Sequence, residues 1–116
     1  MPRLLCVGHV SKDKAPGGEV VGGSVTYGSL TARKLGWDAA ILSSAGPDFD
    51  PARELPGVPV FLQAAAATTR FVNEYDADGT RHQTVTARAD DIRFEALPDA
   101  WQAPDALLLG PLAGEL

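Results

Sequence analysis

The chain has 116 residues, of which 45% are hydrophobic, and it carries ten lysines and arginines against fifteen aspartates and glutamates. This length and apolar content predict one globular domain with a real core and exclude a compositionally disordered chain. The acidic excess, without any basic cluster, argues against a nucleic-acid or anionic-membrane partner.

Cysteine, histidine and the N-terminal residues exclude further classes. The single cysteine, Cys6, cannot form an internal disulfide and is interpreted as a small buried side chain. The two histidines, His9 and His82, have no second histidine or cysteine at metal-ligand spacing, so we expect no metal site formed by this chain alone. The apolar run near the N-terminus is too short for a signal peptide, and we expect a cytoplasmic location.

The first part of the chain alternates between strand and helix patterns. Residues 3–10 form a short apolar run that predicts a buried strand. Residues 24–35 place apolar and small side chains at helical spacing, with Ser24 as a candidate cap and Gly36 as the terminator. Residues 37–43 predict a second core strand. Strand, helix and strand in this order predict a right-handed crossover and an α/β fold.

The middle of the chain carries a hairpin pattern. Residues 68–75 and 80–88 are rich in strand-forming side chains, and they flank Asp78-Gly79, which is typical of a two-residue turn. A short alanine-rich linker, residues 64–67, precedes this hairpin.

The register of the hairpin decides which side chains share a face. A two-residue turn places Val72 opposite Val85 and Asp76 opposite Arg81 on one face. The other face then mixes aromatic and polar side chains, namely Phe71, Asn73, Tyr75, His82 and Thr84. Such a mixture suits contact with a polar ligand, and it equally suits an ordinary solvent-facing hairpin.

The last part of the chain returns to the α/β pattern. Residues 104–116, PDALLLGPLAGEL, predict a third core strand followed by a glycine-rich turn. Residues 89–103 predict a short helix or turn that Pro98 interrupts. Because one long helix must cover three apolar strands, we expect some apolar surface to remain uncovered. The predicted division is an α/β core, residues 1–56 and 89–116, and a lid hairpin at about 58–88.

A glycine pair, Gly22-Gly23, precedes the predicted helix. Two adjacent glycines lack the Cβ atoms that would block a ligand, and the free amides at the helix start offer hydrogen-bond donors. The pair therefore suits a polar substrate, although a glycine pair before a helix can also be a simple turn.

Five segments form a set along nearly the whole chain: VGHVSKD, GGSVTYGSLTARKLG, SAGPDFD, the hairpin around DADG, and LLLGPLAGEL. As a set they resemble the N-terminal part of the ribokinase-like (PfkB) family of carbohydrate and nucleoside kinases. The resemblance implies a parallel sheet with flanking helices and a small β-hairpin lid. It also implies transfer of the γ-phosphoryl group of ATP to a hydroxyl of a sugar or polyol, with magnesium.

The resemblance further implies residues that bind the substrate. Asp13 would bind substrate hydroxyls, and a carboxylate can accept from two neighbouring hydroxyls. Gly22 and Gly23 would lie against the substrate and flex as the lid closes, and Phe71 and Asn73 would face it from the hairpin. Without the resemblance, Asp13 between two lysines would be interpreted as a solvated loop residue.

The chain departs from the family pattern in several places. Tyr27, implied to bind substrate, stands where ribokinases commonly have a smaller asparagine. The stretch 13–22 is short, so we expect the two lid strands often found there to be reduced or absent. The stretch 48–55 is too short for the family's usual longer helix. No segment matches the glycine-rich motif D-T-x-G-A-G-D with its catalytic aspartate, so we expect the chain alone to be inactive and to bind neither ATP nor magnesium fully.

Two hypotheses follow. The chain is the substrate-side portion of a sugar, polyol or nucleoside kinase, or it is a stand-alone ligand-binding or dimerisation module derived from one. In either case a homodimer through the lid is a candidate, because exposed strand edges invite pairing. A nicotinamide-binding domain is disfavoured because the phosphate fingerprint G-x-G-x-x-G is missing.

Overall fold

The computed structural model describes all 116 residues. The strands and helices in chain order are β1 (Arg3–Val7), β2 (Ser11–Ala15), β3 (Gly18–Gly22), α1 (Ser24–Lys34), β4 (Asp38–Ala45), α2 (Pro51–Glu54), β5 (Val60–Ala64), β6 (Thr69–Tyr75), β7 (Arg81–Ala87) and β8 (Ala106–Leu109). They form two four-stranded sheets, a first sheet in the order β5-β4-β1-β8 and a second sheet in the order β3-β2-β6-β7.

The first sheet is parallel throughout, and it confirms the predicted α/β class. The three predicted core strands correspond to β1, β4 and β8. The fourth strand, β5, pairs with β4 and was not predicted as part of this sheet. Strand β5 is only half-buried at the sheet edge, so its sequence lacks the apolar run of a core strand and resembles the neighbouring hairpin segment. The predicted lid range 58–88 therefore includes one strand of the first sheet.

Both faces of the first sheet are covered near its centre. Helix α1 packs on one face, where the buried side chains include Cys6, Val25 and Ile41. Residues 89–103 cross the other face and bury Ile92 and Leu97 there. As predicted, these residues form only short turns, which are the 3₁₀ segments Phe94–Ala96 and Asp99–Trp101 on either side of Pro98.

The N-cap of helix α1 lies one residue before the predicted cap. Gly23 is the N-cap, and Ser24 is the first helical residue and makes no capping hydrogen bond, so the prediction for Ser24 was wrong. The predicted end is confirmed, because Gly36 has a φ of 89° and its amide donates to Arg33 O at 3.1 Å. The next helix, α2, is a single turn, in agreement with the short 48–55 connection.

Apolar surface remains uncovered at β8, as predicted. This edge strand has a free outer side, and Leu107 and Leu109 are 52% and 55% exposed. A groove beside α1 adds to this surface, and its apolar lining includes Leu4, Leu35 and Trp37. No helix of the chain is long and apolar enough to cross a membrane.

The second sheet is larger than the sequence predicted. Residues 11–22 form two complete strands of five residues each, so the expected reduction or loss of these lid strands was wrong. Pro16 and Gly17 connect them in a two-residue turn, with Gly17 at a φ of 99°. Proline followed by a glycine of positive φ suits a two-residue β-turn, so twelve residues suffice for two paired strands.

The hairpin of β6 and β7 is confirmed, but its loop has three residues instead of two. The Asp76 amide donates to Thr80 O at 2.9 Å, and the Gly79 amide donates to Asp76 O at 2.9 Å. Gly79 has a φ of 86°, the left-handed residue that closes such a three-residue loop. The Asp78 carboxylate accepts from the Thr80 amide at 3.0 Å. Asp78 and Gly79 are thus the second and third residues of the loop, whereas the sequence predicted them as its first and second.

This extra loop residue shifts the predicted pairing by one position. Phe71 lies opposite Val85 and Tyr75 lies opposite Arg81, so the predicted pairs of Val85 with Val72 and of Arg81 with Asp76 were wrong. Since side chains alternate between faces, the shift also moves partners between the two sides of the sheet. The observed face that contains Phe71, Asn73 and Tyr75 also contains Val85, Gln83 and Arg81, whereas His82 and Thr84 lie on the opposite face.

Candidate functional site

The candidate site lies on one face of the second sheet, where three strands bring predicted residues into register. Strand β2 runs between β3 and β6. Asp13 is paired with Phe71 on one side and with Val20 on the other, so these side chains share a face. Ser11 is paired with Gly22 on the same face. The predicted substrate residues of two distant segments therefore meet on this surface.

Asp13 is fixed by its neighbours in β2 and β3. The Ser11 hydroxyl donates to Asp13 Oδ1 at 2.8 Å. A Cβ atom at Gly22 would overlap the Asp13 carboxyl group, so the carboxylate needs a glycine at that position. Asp13 is half-buried in a strand, and it is therefore not the solvated loop residue of the alternative interpretation.

The neighbouring lysine does not neutralise Asp13, because it lies on the opposite face of β2. Lys12 is 8% exposed, donates to the Asp48 carbonyl and forms an ion pair with Glu54 Oε1 at 3.2 Å. These contacts leave the Asp13 carboxylate with one hydroxyl donor and with lone pairs available for further donors.

The glycine pair joins this face to the start of α1. Gly23 has a φ of 100°, which an L side chain rarely adopts, and its carbonyl accepts the Thr26 amide at 3.1 Å. The Thr26 hydroxyl donates to Gly22 O at 2.8 Å. The amides of Ser24 and Val25, ahead of Thr26, have no partner within the helix, so free donors follow directly after Gly22-Gly23.

The hairpin contributes an apolar ring and an amide. Phe71 is 7% exposed, and Asn73 is half-buried two residues further along β6. Asn73 Oδ1 accepts from Gln83 Nε2 at 2.9 Å, so the Asn73 amide group remains free to donate. Gln83 was not among the predicted site residues, because the wrong two-residue turn placed it on the other face.

Tyr27 is the predicted site residue that the structure does not bring to this face. It is 59% exposed and lines the apolar groove beside α1, together with Leu4 and Ala106. The structure therefore brings together Asp13, Gly22, Gly23, Phe71 and Asn73 and leaves Tyr27 on the flank of α1.

The opposite face of the second sheet is held by charged contacts that sequence reasoning did not single out. Arg70 forms ion pairs with Glu19 and with Asp48, the latter at 2.6 Å between Arg70 Nη2 and Asp48 Oδ2. The Thr68 hydroxyl donates to Asp48 Oδ1 at 2.6 Å. The Thr68 hydroxyl and the Arg70 guanidinium together hold the pKa of Asp48 below its usual value. These contacts attach the second sheet to the loop after β4.

Two further features bear on chemistry at this site, namely possible metal ligands and the Cys6 thiol. No group of three or more His, Cys, Asp or Glu side chains is arranged to hold a metal ion. Burial raises the pKa of the Cys6 thiol to about 11, so the sulfur is protonated and unreactive at neutral pH.

No protein-family model matches the chain, and no curated protein matches it significantly. Solved structures do match. A pyrophosphate-dependent kinase in the ribokinase family, complexed with a pyrophosphate analog and myo-inositol, is 27% identical to the chain with a TM-score of 0.72. The match covers 94% of this chain and 40% of that one.

Two further structures share the fold at lower identity. Fructokinase from Xylella fastidiosa is 24% identical with a TM-score of 0.71, over 92% of this chain and 39% of that chain. Ribokinase from Cryptococcus neoformans var. grubii serotype A, in complex with ADP, is 20% identical with a TM-score of 0.67, over 94% of this chain and 40% of that chain. These two likenesses show the fold alone.

The resemblance expected from the sequence is thus confirmed at the level of structure. The two sheets, the glycine pair between them and the hairpin occur together over nearly the full chain. The chain spans about 40% of the length of the kinases it matches. The protein has the fold of the N-terminal part of a ribokinase-family kinase.

Proposed function

We propose that the chain forms the substrate-binding portion of a kinase that phosphorylates a hydroxyl group of a polyol or sugar. The observation that carries the proposal is the Asp13 face. A carboxylate oriented by Ser11 lies over Gly22, beside a buried ring at Phe71 and a free amide at Asn73.

Each of these groups matches one feature of a polyol. The Asp13 carboxylate accepts hydrogen bonds from two adjacent hydroxyls. The buried Phe71 ring forms an apolar floor beside the carboxylate, and Asn73 donates to a further hydroxyl. Gly22, without a side chain, allows the substrate to approach the backbone.

We further propose a cyclic polyol as the substrate class. The structure with myo-inositol bound is 27% identical to this chain, whereas the fructokinase and the ribokinase named above are below 25%. We therefore choose myo-inositol as the first compound to test, with ribose and fructose for comparison.

The phosphoryl donor is proposed to be ATP with magnesium or, as for the kinase of the myo-inositol complex, pyrophosphate. The residues present here do not fit either group, because the chain has no metal-ligand cluster and no phosphate-binding glycine loop. In this proposal the chain binds the acceptor, orients its hydroxyl and excludes water, and the donor is held by other residues.

The exposed apolar side chains on the same face suggest a second copy of the chain as a partner. Val20, Tyr75 and Val85 are 55%, 54% and 49% exposed. We propose that two second sheets pack through these residues and close the Asp13 face from water. Sedimentation equilibrium of the chain and of Val85→Lys tests this, with a dimer expected for the first and a monomer for the second.

The proposed substrate site is tested by titrating the ¹⁵N-labelled chain with myo-inositol, ribose and fructose. We expect saturable amide shifts at residues 13, 22–23 and 71–73 with myo-inositol. Asp13→Asn is expected to weaken binding about tenfold, because a charged hydrogen bond is lost. Glu74→Gln is the matched control, since it removes an exposed carboxylate from the other face of the same sheet. If none of the three compounds shifts these amides, the proposed site is wrong.

A further inference from the structure

The two sheets are joined by four chain segments, and His9, in the first of them, makes contacts in or directly beside each of the other three. The segments are residues 8–10, residue 23, residues 65–68 and residues 88–105. His9, in the first segment, is fully buried. Buried histidines need hydrogen-bond partners, and here the partners come from the other segments or from the strand end that follows them.

Each contact of His9 reaches a different connection. His9 Nε2 lies 2.7 Å from the Asp90 carbonyl oxygen, after β7. His9 Nδ1 lies 2.8 Å from Thr69 Oγ1, the first residue of β6. A Cβ atom at Gly23 would lie 2.6 Å from the His9 carbonyl oxygen, so the β3-to-α1 connection passes directly against His9.

The hydrogen-bond directions at His9 follow from the partners. A carbonyl oxygen only accepts, so His9 Nε2 carries a proton and donates to Asp90 O. Thr69 Oγ1 already accepts the Ala89 amide at 2.9 Å, and its own proton is free to point at His9 Nδ1. A neutral imidazole with the proton on Nε2 therefore satisfies every group at this junction.

A buried carboxylate holds the same junction from the segment after β8. Glu115 Oε2 accepts the His9 amide at 2.8 Å, and Glu115 Oε1 accepts the amides of Leu112 and Ala113 at 2.9 and 2.8 Å. Burial alone would raise the pKa of Glu115, but these amides outweigh it and hold the pKa below its usual value. The carboxylate is thus charged at neutral pH.

Of the charged side chains around His9, the Glu115 carboxylate approaches the ring, whereas those of Asp90 and Arg88 are directed elsewhere. Glu115 Oε2 lies 3.5 Å from His9 Nδ1, while Asp90 presents its backbone oxygen to the ring. Arg88 donates to the carbonyls of Ala113 and Ala89 and pairs with Asp91.

We propose that His9 is a positioning residue that fixes the orientation of the second sheet relative to the first. It acts through its hydrogen bonds to Thr69 and Asp90 and its contact with Gly23, and Glu115 holds its backbone in place. Asp13 lies on the second sheet and α1 packs on the first, so this orientation sets where Asp13 stands relative to the helix amides. The ligand-binding consequence rests on the proposed function, whereas the orientation itself does not.

An apolar side chain of the same size would fill the space of the imidazole but make none of its bonds. His9→Leu leaves the Asp90 carbonyl and the Thr69 hydroxyl without this partner, whereas His9→Gln keeps a donor and an acceptor on a side chain of similar length. The two variants therefore separate hydrogen bonding from space filling.

The first test needs no variant. The ¹⁵N chemical shifts of the His9 ring in the unmodified chain report its tautomer, and we expect protonated Nε2 and unprotonated Nδ1 at pH 7. A proton on Nδ1 alone would leave Nε2 unable to donate to the Asp90 carbonyl and would overturn the proposal.

The second test measures the distance between the sheets. Spin labels at Lys34→Cys and Glu74→Cys lie on exposed positions of α1 and β6, and the native Cys6 is fully buried. We expect a narrow distance distribution in the parent chain, a broader or displaced one in His9→Leu, and recovery in His9→Gln. His82→Gln is the matched control, because it changes an exposed histidine bonded to Asp76. An unchanged distribution in folded His9→Leu would overturn the proposal.

A third variant covers the case in which His9→Leu does not fold. Thr69→Val removes only the hydroxyl that links His9 Nδ1 and the Ala89 amide, at nearly constant size. It is expected to broaden the same distance distribution, and an unchanged distribution would again contradict the proposal. Binding is measured separately. We expect Thr69→Val to lose about tenfold in myo-inositol affinity, because one buried hydrogen bond is lost, and His82→Gln to leave the affinity unchanged. If no variant binds myo-inositol but the distances change, the proposed function fails and the role of His9 stands.

Discussion

The two sheets of this protein are built by different rules. In the first sheet, β1 and β4 are buried on both faces between α1 and the segment 89–103. In the second sheet, β7 is exposed along almost its whole length, and burial is confined to the ends near the first sheet. The sequences of parallel strands that are covered on both sides are apolar runs. The sequences of strands in a sheet with an open face mix polar and apolar residues.

The difference separates the sheet that supplies the stability of the fold from the sheet that carries the proposed substrate site. Apolar burial in the first sheet supplies a core, while the second sheet is attached by hydrogen bonds and ion pairs at its base, such as those of Lys12, Arg70 and His9. A sheet attached in this way keeps one face free for the proposed ligand. We therefore expect substitutions in the first sheet to act on the whole fold and those in the second to act on the site.

The largest effect is expected for a truncation in the first sheet. Leu42 is fully buried at the centre of β4, and Leu42→Ala should cost about 2–5 kcal/mol of unfolding free energy through lost burial and a cavity. Thr84→Ala, at an exposed position of β7 on the face opposite Asp13, should cost less than about 1 kcal/mol. Urea unfolding measures both, and equal losses would contradict the division between the sheets.

The next effect is expected at the glycine pair, between the sheets. Gly23→Ala should cost about 2–4 kcal/mol, because a φ of 100° strains an alanine and its Cβ would lie 2.6 Å from His9 O. Gly17→Ala is the control, since Gly17 has a φ of 99° but no atom within 4 Å of a Cβ. It should cost only the strain, about 1–2 kcal/mol. Thermal unfolding of the two variants distinguishes crowding from strain, and similar values would argue against a tight junction.

A smaller, pH-dependent effect is expected at Glu115. Its pKa in the folded chain is held below the usual 4.5, so its contribution to stability is present above that pH and is lost as the pH falls through the folded value. Glu115→Gln should lower the unfolding free energy by about 1–3 kcal/mol at pH 7 and flatten its dependence on pH below 4.5. Urea unfolding at several pH values from 3 to 7 measures this, with Glu74→Gln as the exposed control. A steep acid loss that persists in Glu115→Gln would exclude this carboxylate as the cause.

The smallest effect is expected for the ion pairs at the base of the second sheet. Arg70 is about one third exposed and bridges Glu19 and Asp48, so Arg70→Met should cost less than about 1 kcal/mol in low salt. The difference should shrink in 0.5 M NaCl because exposed pairs are screened. Arg53→Met, at a more exposed and more loosely paired position, is the control. A loss that does not depend on salt would mean that Arg70 acts by packing instead of by charge.

Much of the first sheet could be predicted from sequence, because its signals are local. Apolar runs predicted β1, β4 and β8, helical spacing predicted α1, and a left-handed glycine, Gly36, predicted its end. The family motifs then predicted which residues would form the site, and the structure brings Asp13, Gly22, Gly23, Phe71 and Asn73 together.

The second sheet was predicted less well, since its outcome depends on single residues in turns. One additional loop residue at Ala77 changed the β6 to β7 register, exchanged His82 and Thr84 for Gln83 on the site face, and was not visible in the D-G signal alone. Likewise, the turn at Pro16 and Gly17 allowed two strands where the length of the segment had predicted fewer. A period of two residues makes every strand face sensitive to a shift of one.

The sequence by itself determined the α/β class and the order of the main elements, because apolar spacing, glycines and turn residues act over a few positions. The residues of the candidate site came from the family resemblance. Only the tertiary structure decided that His9, Gly23, Thr69 and Asp90 meet at one point, and that Tyr27 lies apart from the other site residues. Contacts between residues sixty or more positions apart, such as that of His9 with Thr69, are set by how two sheets pack. No local pattern records that packing.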